Sequence, residues 1–213
     1  MANRGFDAEV LEGFAKLHKL KLELVSATGW DTLIPSLLRG KGDLIAGGFT
    51  DTESRRKQID FTLEVFPTRS VVITRKPHRV VKGVEELRTE KVGTIKGTFM
   101  VEALAAAGVP ARSVDDSILT GNLPDALRSG RITAAVDGLE AALVAKASDP
   151  DLQLGLFLGP PDSLAYGVRK GDAALLGALN EYIANVRRTP TWSRLVIKYF
   201  GEAAPEILRK ARQ

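Results

Sequence analysis

The apolar residues of this chain change period repeatedly, and that alternation limits the fold more than any other feature. "FDAEVLEGFAKLHKL" places Phe6, Val10, Leu11, Phe14, Ala15 and Leu17 at helical spacing, with Asp7 as the expected N-cap. "KLELVSA" sets Leu22, Leu24 and Ser26 against Lys21, Glu23 and Val25, the period of a short strand. A helix is expected from near Asp31 to the glycines at 40 and 42, then buried strands in "DLIAGGF" and in "SVVITRKP", the latter stopped by Pro77. The pattern restarts with a strand in "KVGTIKG", a helix capped by Thr98 in "TFMVEALAAAGV", a helix in "NLPDALRSGR" and a strand in "ITAAVDG". There follow a helix in "GLEAALVAKAS", a turn at "GPPDS", a strand in "LAYGVRKG" and helices on both sides of Pro190. Strands interleaved with helices point to an α/β architecture with mostly parallel sheets.

"SVVITRK" and "LAYGVRK" resemble each other and stand where one block of the pattern gives way to the next. Read as paired crossover segments, they divide the chain into two lobes: residues 1–75 with 168–213, and residues 76–167. A length of 213 residues fits one large domain or two small ones, and an apolar fraction of 44% is enough for a sizeable core.

Several chemistries are set aside by residue usage. The chain has no cysteine, so disulfides, thiolate metal sites and cysteine nucleophiles are excluded. His18 and His78 lie far apart, which argues against a histidine-based zinc site, and no metal or cofactor is expected. The net charge of +4 is spread along the chain and aromatics make up 6%, unlike the concentrated basic, aromatic surface of a nucleic-acid binder. No stretch approaches the roughly 20 apolar residues of a membrane span. "MANRGFDAEV" contains no apolar signal-peptide core, which leaves open a cytoplasmic protein or one whose leader has been removed.

"GGFTDTESRRKQIDFT", residues 47–62, carries the chemistry. An apolar run ends in two glycines and gives way to threonines and a pair of arginines. Such a segment is suited to holding an anion at the end of a strand. A guanidinium fork matches a carboxylate in a bidentate way, and glycine lets backbone come close to a ligand.

In order along the chain, "GFDAEVLEGFAKLHKLKLELV", "WDTLIPSLLRGKGDLIAGGFTDTESRRKQIDFT", "VGTIKGT", "ALRSGRITAAV", "YGVRKGD" and "TWSRLVIKYFG" together resemble the extracellular solute-binding proteins of ABC importers, polar amino-acid type. The resemblance implies a two-lobed type II periplasmic-binding fold that closes on a small ligand. It implies an amino acid or other small carboxylate as ligand, an ABC permease as partner, and a periplasmic or extracellular location. By position, Arg55 would pair with the ligand carboxylate, Thr50 and Thr52 would precede it, and Thr52 or the backbone at Gly48 would complete the anion site. Trp30 would pack on the ligand, and Thr98 would offer a hydroxyl and helix N-terminal amides from the second lobe.

Two departures from the family pattern are visible. The aspartate that holds a ligand ammonium in the family aligns with Gly138, and Asp137 stands one place earlier. Asp137 is kept as the candidate, with Glu140 expected to face outward from the next helix. The family's first strand, which precedes "GFD", has no counterpart ahead of Gly5. The expectation is that the gap is met by rearrangement or by pairing between chains. Two other functions are implied by the same fold: a dehydratase of the cyclohexadienyl or arogenate type, and a sensory ligand-binding domain. The dehydratase needs a general acid where "PDSLAY" presents Ser163. "TPTWSRLVIKYFG" is expected to be a packing helix.

Overall fold

The computed structural model describes residues 5–213. In chain order the elements begin with α1 (Phe6–Leu17), α2 (Leu33–Leu38), β1 (Leu44–Ile45), α3 (Glu53–Arg56), β2 (Ile59–Phe61) and β3 (Phe66–Arg75). Then come α4 (Val84–Leu87), β4 (Val92–Ile95), α5 (Met100–Ala106), β5 (Val114–Ile118), α6 (Leu123–Arg128), β6 (Ala134–Gly138) and α7 (Leu139–Ser148). The chain ends with β7 (Leu152–Leu164), β8 (Gly167–Arg169), α8 (Ala173–Arg187), α9 (Pro190–Phe200) and α10 (Ala204–Ala211). Two compact units emerge: Met1–Pro67 with Asp162–Leu208 (unit 1), and Thr68–Pro161 with Arg209–Gln213 (unit 2).

Unit 1 is organised by a three-stranded sheet in the order β1-β8-β2, with β8 antiparallel to both neighbours. Its core gathers Ile34 and Leu37 from α2, Ile45, Phe49, Ile59, Phe61 and Ala165, with Trp30 and Leu33 packed against them. A second apolar knot joins α1 to α9. The Phe6 ring lies 5.6 Å from Phe66 and 5.3 Å from Phe200, and Trp192 Nε1 donates to the Val65 carbonyl at 3.0 Å. The apolar face of "TPTWSRLVIKYFG" is therefore a packing surface, with Val196 fully buried.

Unit 2 holds a five-stranded sheet, β5-β4-β6-β3-β7. β4 runs parallel to β5 and β6, and β3 runs antiparallel to β6. Val72, Val92, Ala134 and Val136 of the sheet close on Leu87, Met100 and Leu104 of the helices. Neither sheet is thus mostly parallel: the pairings of the unit 1 sheet are antiparallel, and the unit 2 sheet is mixed. The antiparallel members, β3 and β8, belong to the stretches by which the chain leaves and re-enters a unit, and no helical crossover precedes them.

Four local expectations are corrected. Residues 21–27 form no strand: Leu24 is 58% exposed and Val25 68%, and alternation without a hydrogen-bonding neighbour does not make a strand. Asp7 does not cap α1, whose N-cap is Gly5. Thr98 does not cap α5: Phe99 holds that position, and the Thr98 hydroxyl turns back to the Ile95 carbonyl at 2.7 Å. "GPPDS" is not a turn but part of the long strand β7, because the fixed φ of proline suits extended backbone. The strand expected to be missing ahead of Gly5 concerns residues outside the described ones.

Candidate functional site

The loop after β1 is built on two consecutive glycines in left-handed backbone, Gly47 at φ 101° and Gly48 at φ 78°. Only glycine adopts these values at low cost. Their two amides converge on one carboxylate oxygen: Asp7 Oδ2 accepts from Gly47 N at 2.9 Å and from Gly48 N at 3.0 Å. The other oxygen, Oδ1, accepts from the Tyr166 hydroxyl at 3.1 Å. Burial raises the Asp7 carboxyl above its ordinary value, and the Gly48, Tyr166 and Gly47 donors offset part of that. Burial, then the neighbouring Asp7 charge, raises the Tyr166 phenol in turn. The single proton of the Gly48 amide is committed to Asp7. No local pattern marks Asp7 for this task, because its partners lie 40 and 41 residues away.

Beyond the glycines, Phe49 enters the core at 1% exposure and Thr50 is buried in an antiparallel bridge with Leu164. Asp51 N donates to the Ser163 carbonyl at 2.9 Å. The chain then turns into α3, with Thr52 at the N-cap and its Oγ1 accepting from Arg55 N at 3.4 Å. The Arg55 guanidinium lies 4.0 Å from the centre of the Phe49 ring, and its Nη1 donates to the Thr50 carbonyl at 2.7 Å. Arg56 turns the other way and forms a two-pronged pair with Asp51, with Nε to Oδ1 at 2.6 Å. The fold thus collects Gly48, Thr50, Thr52 and Arg55 in the loop after β1 and the short helix α3 that follows it. Trp30, in a short 3₁₀ turn before α2, packs partly buried on the same apolar cluster that contains Phe49.

In unit 2, Asp137 stands near the end of β6, and Gly138 N donates to its Oδ1 at 2.8 Å. Burial first, and the negative charge of Glu140 second, push the Asp137 carboxyl up to about 7. The expectation that Glu140 faces outward is corrected: its Oε2 accepts from Thr68 Oγ1 at 2.5 Å. Glycine at 138 makes room for this, since a Cβ there would stand 2.3 Å from Glu140 Oε1. Two carboxyls and a threonine hydroxyl thus share one corner of unit 2. Thr98 lies on the turn between β4 and α5, and Phe99 packs on the unit 2 core.

Among the described residues, no helix is long and apolar enough to cross a membrane. Residues 2–202 match the bacterial extracellular solute-binding proteins, family 3. The chain is 31% identical over 208 residues to the histidine-binding periplasmic protein of Escherichia coli (strain K12), covering 92% of this chain and 78% of that one. It is similar in structure to the amino acid ABC transporter substrate-binding protein AbpA of Streptococcus pneumoniae bound to L-arginine. That similarity has a TM-score of 0.82 at 25% identity and covers 94% of this chain and 85% of the other. It is also similar to the ancestral amino acid-binding protein AncCDT-1, a precursor of cyclohexadienyl dehydratase. There the TM-score is 0.82 at 26% identity, with 92% and 85% covered. The comparisons lend no support to self-association. With its α/β fold and this match over almost its whole length, the chain belongs to the bacterial extracellular solute-binding proteins, family 3.

Proposed function

We propose that the protein captures a small carboxylate, an amino acid or close relative, in the periplasm or outside the cell and delivers it to the permease of an ABC importer. The observation that supports this most is the way Arg55 is held. Its planar group rests on the Phe49 ring, and one N–H is anchored on the Thr50 carbonyl. A guanidinium fixed at two points loses little freedom when it meets a planar carboxylate, so more of the charge-assisted bonding appears as affinity. In this reading Thr50 and Thr52 shape the loop around Arg55, Trp30 supplies a flat apolar face and Thr98 a hydroxyl, and units 1 and 2 are the two lobes. The carboxyls of Asp137 and Glu140 fit a ligand that also carries a cation, as histidine and arginine do. Calorimetric titration with the common amino acids tests the reading. A basic amino acid is expected to bind, and Arg55→Ala to weaken it about 100-fold. Unchanged affinity in Arg55→Ala would reject the carboxylate assignment.

The protein is read as non-catalytic. Where a dehydratase needs a general acid, the Ser163 hydroxyl donates to Glu64 Oε2 at 2.7 Å, and Glu64 Oε1 pairs with Arg187 at 2.9 Å. The likeness to an ancestor of a dehydratase makes turnover the second reading to test. Incubation with prephenate and with arogenate is expected to leave both unchanged, and product formation would replace the binding-protein reading with the enzymatic one.

A further inference from the structure

We propose that Asp7 is the positioning residue for Arg55: its carboxylate occupies, from within the chain, the anion-binding loop after β1 and thereby sets the backbone that grips the guanidinium. Two adjacent left-handed glycines make the freest hinge a chain can have, and ordering them costs the most conformational entropy. Successive backbone N–H groups in such a turn form a concavity that attracts an anion. Here the anion is Asp7 Oδ2, which binds both amides at about equal distance. Two grips on Arg55 come from the two residues that follow: the ring of Phe49 and the carbonyl of Thr50. A shift of the Gly47–Gly48 turn therefore moves both at once.

The plainer alternative is that Asp7 is a first-turn acid that favours the N-terminus of α1. The bonding argues otherwise, because the carboxylate spends its acceptors on residues 47, 48 and 166. Tyr166 precedes β8, so the clamp ties the first helix, the glycine turn and the entry to the central strand of unit 1 to one side chain. The inference rests on the reading of Arg55 as the ligand-binding group only for its effect on affinity. The effect on Arg55 itself stands apart from any ligand.

The experiment uses the full chain without ligand, followed by nuclear magnetic resonance, in Asp7→Asn and in Glu9→Gln as a control on the same helix. In Asp7→Asn the exchange of the Gly47 and Gly48 amides is expected to rise about tenfold relative to Ile59 and Val168, and the Arg55 Nε–H signal to shift. In Glu9→Gln neither is expected to change. Should Asp7→Asn fail to fold, Tyr166→Phe removes one donor from the carboxylate and is expected to shift the Arg55 signal in the same direction by less. The proposal is overturned if the Arg55 signal and the glycine amides stay as in the wild type. It is equally overturned if exchange rises as much at Ile59 and Val168, which would make Asp7 a general stability residue. Calorimetry with L-arginine separates the two readings. A wild type that ignores L-arginine and every other amino acid, but whose Arg55 signal responds to Asp7→Asn, overturns the ligand assignment and upholds the clamp.

Discussion

Arg55 stacks its guanidinium 4.0 Å from the centre of the Phe49 ring, and Phe49 in turn stacks on Phe61 at 5.7 Å with the rings 18° apart. One buried aromatic therefore packs with the core and also carries the charged group. Phe49→Leu keeps most of the apolar volume and removes the π face. We expect it to lower unfolding free energy by about 1–2 kcal/mol, measured by urea unfolding. Affinity for the identified ligand should fall severalfold, because Arg55 keeps its charge but loses its platform. A variant that loses stability but not affinity would show that Arg55 is held well enough without the Phe49 ring.

Asp137 links stability to pH near neutrality. Its carboxyl is pushed from 3.8 up to about 7 in the folded chain. Between those values the folded state keeps a proton that the unfolded state has released. Its contribution to stability is therefore greatest at the acid end of this window and is lost as pH rises through 7. Asp137→Asn is expected to be the more stable protein at pH 8, by on the order of 4 kcal/mol, with the margin falling to less than half of that at pH 5. Urea unfolding of ligand-free protein at the two pH values checks this, and a wild type that gains stability from pH 5 to 8 through this residue contradicts it.

Glu90 behaves in the opposite sense. Burial alone would raise its carboxyl, but bonds from Thr133 at 2.6 Å, His78 at 3.0 Å and Arg79 at 3.4 Å outweigh it and leave the group below its ordinary 4.5. Its contribution is thus present above pH 4.5 and is lost as pH falls through the folded value. Glu90→Ala, which removes the acceptor of Thr133 while leaving the half-exposed Arg79 and His78 to turn to water, should cost about 1–2 kcal/mol at pH 7 and flatten the acid limb of the stability curve.

Leu24 gives a contrasting case. An apolar residue that is 58% exposed contributes little burial, whatever its sequence pattern implies. Leu24→Ser is expected to change unfolding free energy by no more than about 0.5 kcal/mol. A loss of several times that in thermal or urea unfolding would mean that residues 21–27 are covered in solution.

What could be read from the sequence was what depends on neighbours along the chain. The β6–α7 passage is visible because "ITAAV" and "LEAALVAKAS" each carry their own period, and Arg55 is visible because its loop chemistry lies within a few residues. Asp7 was legible as a helix-start acid but not as a clamp, since its partners are fixed by how α1 packs on the β1 loop. Glu140 was misjudged because helical periodicity gives the direction of a Cβ, whereas its carboxyl folds back through space that Gly138 leaves empty. Residues 21–27 alternate as a strand does, yet strand formation is decided by a pairing partner elsewhere in the chain. The direction of β8 was likewise out of reach, because it depends on where the chain returns.

The position of β8 has a consequence for biosynthesis. The middle strand of the unit 1 sheet is supplied by Gly167–Arg169, although both strands that flank it emerge more than a hundred residues earlier. A ribosome making this polypeptide therefore exposes β1 and β2 as unjoined edges while it completes the nearly continuous stretch from Thr68 to Pro161. That stretch can condense first, and the half of the molecule bearing Arg55 must wait for the nascent chain to return.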